Sequence, residues 1–198
     1  LPLLEEELRR KRKPGIVATG AMSDPYNPFE ASLQLTRHAL ELIDAYQCGA
    51  AIATKSDLIV RDRDILDSIA RHSPVICKLT ITTTDDALAA RLEPGAPSPS
   101  RRLAALRELA DRGLFAGVLL MPVLPFLEDT EENVLEVVER AAEAGASFVY
   151  PALGVTMREG QREYFLQGLE DAFPGQGLRA RYLRRYGDRY WCASPRAR

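Results

Sequence analysis

Five short apolar runs rich in β-branched residues punctuate the chain: Gly15–Thr19, Ala50–Thr54, Val75–Ile81, Ala116–Met121 and Ser147–Pro151. Near-continuous apolar runs of this length suit strands covered on both faces. Between them the pattern turns helical, over Ala31–Tyr46, Asp62–His72, Ser100–Arg112 and Thr130–Ala144. The punctuation agrees: Asp62 or Asp64 stands ready as an N-cap before Ile65 and Leu66, Ser100 before the next helix, and Gly113 and Gly145 close theirs. Strand and helix alternate throughout, which predicts an α/β fold with a parallel sheet. The unit recurs at intervals of about 25–40 residues, as in either a doubly wound sheet or part of a (β/α) barrel.

The parse is a single domain over residues 1–198, with a leading helix (1–12), a core of βα units (13–155) and a helical, Arg/Tyr-rich C-terminal extension (156–198). The Pro/Ser-rich stretch Glu93–Ser100 falls between helical segments and marks no domain boundary. The leading helix reads as though its own preceding strand had been cut away, and the chain opens on Leu1, so upstream sequence is expected. A first strand without a neighbour would expose an unpaired edge.

Charge narrows the partners. A formal net charge of −2 argues against a globally basic nucleic-acid binder. No apolar run approaches the roughly 20 residues of a membrane span, and the opening lacks a signal-peptide core, which predicts a cytoplasmic protein with no membrane partner. Cys48, Cys77 and Cys192 are odd in number and far apart, suggesting neither a disulfide framework nor a metal cluster.

In parallel α/β proteins functional groups gather where strands end. After the first run come Gly20, Ala21, Met22, Ser23 and Asp24; after the second, Lys55, Ser56 and Asp57; after the third, the threonines from Thr80 to Thr84. Lys55 admits three readings: a carboxylate or phosphate ligand, a Schiff-base amine, or an ion pair with Asp57 or Asp24 that shapes the loop. Two nearby aspartates would hold its proton on and so work against the Schiff base. Ser23 and Asp24 can receive an amino group or simply cap a turn. Thr82 and its neighbours suit ribose or carboxylate contacts, although β-propensity explains them equally well. Glu93, Arg101 and Arg102 flank the proline loop; Arg158 and Glu159 follow the last strand. His38 and His72 lie in helical patterns and carry no assigned role. No zinc ligand set, Walker-type phosphate loop or dinucleotide glycine fingerprint is present. The tail from Leu178 to Arg198 interleaves arginines with Tyr182, Tyr186, Tyr190 and Trp191, a composition compatible with nucleic acid or with a solvated helix packing its tyrosines inward.

Taken in order, GAMSDPYNPFE (Gly20–Glu30), LTRHALELI (Leu35–Ile43), ATKSDLIVRDRDIL (Ala53–Leu66), MPVLPFLEDTEENV (Met121–Val134) and YPALGVTMREGQREYF (Tyr150–Phe165) resemble the spore photoproduct lyase-like branch of the radical S-adenosylmethionine superfamily over nearly the whole chain. The resemblance implies a partial parallel (β/α) barrel that here lacks its first strand and the cluster loop following it. That loop would carry a CxxxCxxC motif for a [4Fe–4S] cluster, a spacing that none of the three cysteines here supplies. By the same resemblance Ser23 and Lys55 would contact the methionine part of S-adenosylmethionine, Asp24 would shape the pocket and Thr82 would lie near the ribose. The full-length protein would be a lyase-like radical enzyme, fed by a reductant such as a flavodoxin or ferredoxin, that abstracts hydrogen from a substrate the resemblance leaves open. The chain on its own is expected not to perform the reaction. The family's hydrogen-donating cysteine, two positions before the matching serine, is Ala21 here. The alternative is a non-catalytic βα module binding a phosphate-bearing ligand or nucleic acid.

Overall fold

The computed structural model describes residues 1–196; Arg198 of the basic tail lies outside them. Strands β1 (Ile16–Thr19), β2 (Gly49–Thr54), β3 (Val75–Thr80), β4 (Phe115–Leu120) and β5 (Val149–Pro151) form one parallel sheet in the order of the chain. In a doubly wound sheet the strand order reverses at a switch point. Here it never does, so every crossover runs in the same sense, as along the wall of a barrel. The arc is open: among the described residues β1 pairs only with β2, and β5 only with β4.

Burial explains the near-continuous apolar runs. Ala50 and Ile52 of β2, Cys77 and Leu79 of β3, and Ala116, Val118 and Leu120 of β4 are all buried in one cluster, whereas Ile16 on β1 is 50% exposed. The register sets Ile52 opposite Cys77 and Leu79 opposite Val118, aligning the strand ends at one rim.

Helix α1 (Pro2–Arg10) precedes β1, and α4 (Arg63–Ala70), α6 (Pro99–Asp111) and α7 (Glu131–Glu143) cover the sheet. Two sequence expectations need correction. The segment Ala31–Tyr46 is not one helix: α2 (Glu30–Leu33) and α3 (Leu35–Ala45) meet at Gln34, which adopts a left-handed φ of 51°. The break lets the buried Glu30 carboxylate accept from the backbone N–H groups of Thr36 and Arg37, satisfying donors at the start of α3. The cap of α6 is Ser98 rather than Ser100, its hydroxyl accepting from Arg101 N. Gly113 and Gly145 do close their helices, with φ of 78° and 79°.

Helix α5 (Asp86–Leu92) fills a stretch assigned to no element in the sequence; the Asp85 carboxylate caps it, accepting from Ala87 N and Leu88 N. The extension read as helical does contain α8 (Gln161–Ala172) and α9 (Leu178–Tyr186). It also carries β7 (Trp191–Ala193), which pairs antiparallel with β6 (Gly154–Thr156). This lobe has its own apolar cluster around Met157, Leu166, Phe173, Tyr182 and Cys192. No helix among the described residues is long and apolar enough to cross a membrane.

Candidate functional site

The site is built where β1 and β2 end. Gly20 leaves β1 with φ +91° and passes so close to β2 that a Cβ there would stand 2.0 Å from the Ala53 carbonyl oxygen. Ala21, Met22 and Ser23 then project to solvent. Asp24 turns the chain back: one carboxylate oxygen accepts from Tyr26 N at 2.9 Å and from Thr54 Oγ1 at 2.6 Å, the other from Lys55 N at 2.7 Å. Asp24 is therefore a brace between two strand ends, and its carboxylate is fully engaged.

Behind this loop lies a charged frame. Arg61 donates to the Glu30 carboxylate, to the Glu30 carbonyl and to both oxygens of Asp62, while Arg37 reaches Asp62 and grips Asp64 with both terminal nitrogens. Burial alone would raise the Glu30 pKa, but Arg61 and the N–H groups of Thr36 and Arg37 hold it below the usual range. Arg37 brings Asp64 down to about 2. Asp62 thus serves the frame and not as a side-chain helix cap, since it makes no capping bond to α4.

A second polar layer joins the ends of β2 and β3. The Lys55 ammonium pairs with neither Asp57 nor Asp24 but with Glu93, from the loop after α5. The other Glu93 oxygen accepts from Arg102 Nη2 at 2.7 Å. Arg102, 2% exposed, also donates to the carbonyl oxygens of Thr80 and Pro97. Asp57 is held by Arg101 instead. Burial drives the Glu93 carboxyl upward, yet Lys55 and Arg102 outweigh it and the group stays below the ordinary value.

Ser23, Asp24, Lys55 and Thr80 line a cavity of about 290 Å³ together with Gly20, Ala53 and Leu119. Thr82 lies outside that lining: its hydroxyl donates to Glu128 Oε1 at 2.6 Å and its carbonyl accepts from Asn133. Sequence reading gave no role to Glu128, which is buried beside Thr82 and Leu124 N. A signal for Arg102 did exist. Two arginines in the first turns of a helix oppose its dipole, which hints that at least one is committed elsewhere.

Burial, with the Glu93 charge adding to it, raises Glu128 to about 6. A carboxyl whose pKa is higher folded than unfolded stabilises the fold below the unfolded value, and that contribution is lost as pH rises through the folded one. Glu128→Gln is therefore expected to gain about 2 kcal/mol on the parent chain between pH 4 and pH 7.5. Denaturant titrations at the two pH values test this; parallel stability curves for parent and variant would refute it.

The remaining candidates are dispersed. Arg158 and Glu159 are exposed and line none of these cavities, and His72 pairs with Asp44. Cys48, Cys77 and Cys192 are buried and free, and no group of three or more potential ligands that could hold a metal ion occurs among the described residues. In the tail, Tyr182 and Tyr186 pack inward against Phe126, while Arg184, Arg185 and Arg189 are exposed and Tyr190 and Trp191 are 57% and 45% exposed. A larger, mostly apolar cavity of about 650 Å³ lies between α5 and α8, lined by Leu92, Leu124, Met157 and Phe165.

No family model matches the chain. An uncharacterised protein of Mycobacterium tuberculosis is 32% identical over 186 residues, covering 93% of this chain and 54% of that protein. An uncharacterised protein of Methanocaldococcus jannaschii is 33% identical over 128 residues, 65% of this chain and 48% of that protein. The chain spans about half the length of the curated relatives it matches. Among solved structures, a spore photoproduct lyase complexed with dinucleoside spore photoproduct superposes with a TM-score of 0.61 at 17% identity, covering 86% of this chain and 49% of that one. A variant of that lyase with bound AdoMet and dinucleoside spore photoproduct gives 0.60 at 18% identity, with the same coverage. The chain therefore shares the parallel β/α fold of spore photoproduct lyase.

Proposed function

We propose that the chain is the cofactor-binding wall of a radical S-adenosylmethionine protein. The observation that supports this most is that Lys55 and Ser23 border one cavity at the strand ends of a fold shared with a lyase structure that holds AdoMet. The donor set fits the methionine end of that molecule. A carboxylate needs a cation, which Lys55 supplies; an amino group needs acceptors, which the Ser23 hydroxyl and nearby carbonyl groups supply. Thr19 Oγ1, buried without a partner just before Gly20, is a further unsatisfied polar atom at this rim. When bound and reduced by one electron, S-adenosylmethionine supplies a carbon radical for hydrogen abstraction. In this reading Lys55 anchors the carboxylate, Asp24 fixes the loop that carries Ser23, and Thr80 borders the cavity in place of the expected Thr82.

The iron–sulfur cluster is a different matter. It calls for thiolates converging on one point. Cys48 and Cys77 lie in the sheet core and Cys192 in the C-terminal cluster, so these residues do not fit it. In this proposal the cluster, its reductant and the substrate belong to the whole protein. A nucleic-acid-related substrate is favoured by the exposed arginines of α9 and its exit beside Tyr190 and Trp191. Ala21 departs from the lyases at the hydrogen-donating position, so the same repair chemistry is not carried over.

Calorimetric titration of the chain with S-adenosylmethionine tests the cavity. Lys55→Ala is expected to weaken binding by about 10-fold, the scale of one charge-assisted hydrogen bond. Unchanged affinity in that variant would overturn the proposed pocket.

A further inference from the structure

Lys55 does not face its cavity as a free cation. Its ammonium is paired within the chain, and the pairing is lopsided. One oxygen of Glu93 accepts from Lys55 and the other from Arg102. Arg102 is fixed, being nearly inaccessible and bonded to two carbonyl oxygens besides Glu93. Lys55 is 40% exposed and carries its charge on a flexible four-carbon stem. If the Lys55–Glu93 pair opens, it opens on the lysine side.

Two facts make that opening inexpensive. Glu93 would not be stranded, because Arg102 remains on its second oxygen, and a buried carboxylate is costly only when uncompensated. Lys55 also has room to move. It borders both the 290 Å³ cavity with Ser23 and a neighbouring one of about 370 Å³, lined by Gly95, Ala96 and Pro97 of the same loop that begins at Glu93. No other carboxylate is paired with the ammonium among the described residues: Asp24 is engaged by Tyr26 N, Thr54 and Lys55 N, and Asp57 by Arg101.

We propose that Glu93 is an internal competitor for the carboxylate seat on Lys55: an incoming small-molecule carboxylate binds by taking the ammonium from Glu93, while Arg102 keeps Glu93 compensated. The proposal rests on the cofactor reading above and adds a specificity-determining residue to it. Glu93 sets the threshold a ligand must pass, so that only a group with a full negative charge displaces it. A neutral carboxamide in the same position cannot.

The test compares S-adenosylmethionine with its carboxamide on the parent chain and on Glu93→Gln, with circular dichroism to verify folding. The variant is expected to bind S-adenosylmethionine about 5- to 10-fold more tightly, since a neutral side chain no longer competes, and to bind the carboxamide at least as well as the parent does. A second measurement needs no variant. In the parent chain the Glu93 side-chain carboxyl carbon signal should move on saturation with S-adenosylmethionine and stay still with the carboxamide. A folded Glu93→Gln chain with equal or weaker affinity, or an unmoved Glu93 signal at saturation, overturns the competitor role and leaves the cofactor reading standing. If neither chain binds S-adenosylmethionine, the cofactor reading falls and the competitor role with it.

Discussion

Arg102→Ala is expected to lower the unfolding free energy by about 3–5 kcal/mol, the usual scale for removing one partner from a buried ion pair. The change leaves Glu93 with Lys55 alone and removes the donor from the Thr80 and Pro97 carbonyl groups. For a chain of this size the midpoint of thermal unfolding should fall by roughly 10 °C. Arg102→Lys keeps the charge but cannot fork to three acceptors, so it should recover only part of the loss. The double variant Arg102→Ala, Glu93→Gln should be less damaged than the sum of its parts, because the carboxylate left with Lys55 alone is gone. A loss below 1 kcal/mol for Arg102→Ala would show that the guanidinium bonds contribute little in solution.

The second large effect lies at the other wall of the cavity. Gly20→Ala is expected to cost about 3 kcal/mol. The left-handed backbone accounts for about 1–2 kcal/mol of this, and the remainder comes from a Cβ that has to push against the Ala53 carbonyl group of β2. Because the obstacle is backbone, relief requires the loop to move off the sheet edge. The Lys55 N–H, held by Asp24, should then exchange with solvent faster than in the parent chain. Amide exchange at Lys55 together with denaturant unfolding checks both parts, and a variant within 1 kcal/mol of the parent with unchanged exchange would contradict the close approach.

The strands were readable because a sheet covered on both faces writes itself as unbroken apolar runs, and α6 and α7 because their ends carry local capping chemistry. What escaped was long-range. β6 and β7 are three residues each with both α8 and α9 between them, and Thr156 meets Trp191 in register with no local mark of the partnership.

The candidate site divides in the same way. Ser23, Asp24 and Lys55 were visible because they follow apolar runs directly, where strand ends place them at one rim. The partner of Lys55 was not, because Asp57 is two positions away and Asp24 ends the neighbouring strand's loop, while Glu93 arrives from a loop 38 residues on, past β3 and α5. Thr82 looked equivalent to Thr80 in a run of threonines, and only the position of Glu128 separates them.

The apolar interior falls into two clusters, one under the parallel sheet and a smaller one in the C-terminal lobe around Tyr182 and Phe173. They are joined through the turn that carries Pro125 and Asp129, where the Tyr182 hydroxyl donates to the Pro125 carbonyl and Ser194 to Asp129. Proteins open in cooperative units that often coincide with supersecondary motifs, and units with fewer buried apolar contacts open more easily. Where the smaller lobe opens first, a single midpoint of unfolding describes the sheet rather than the whole chain.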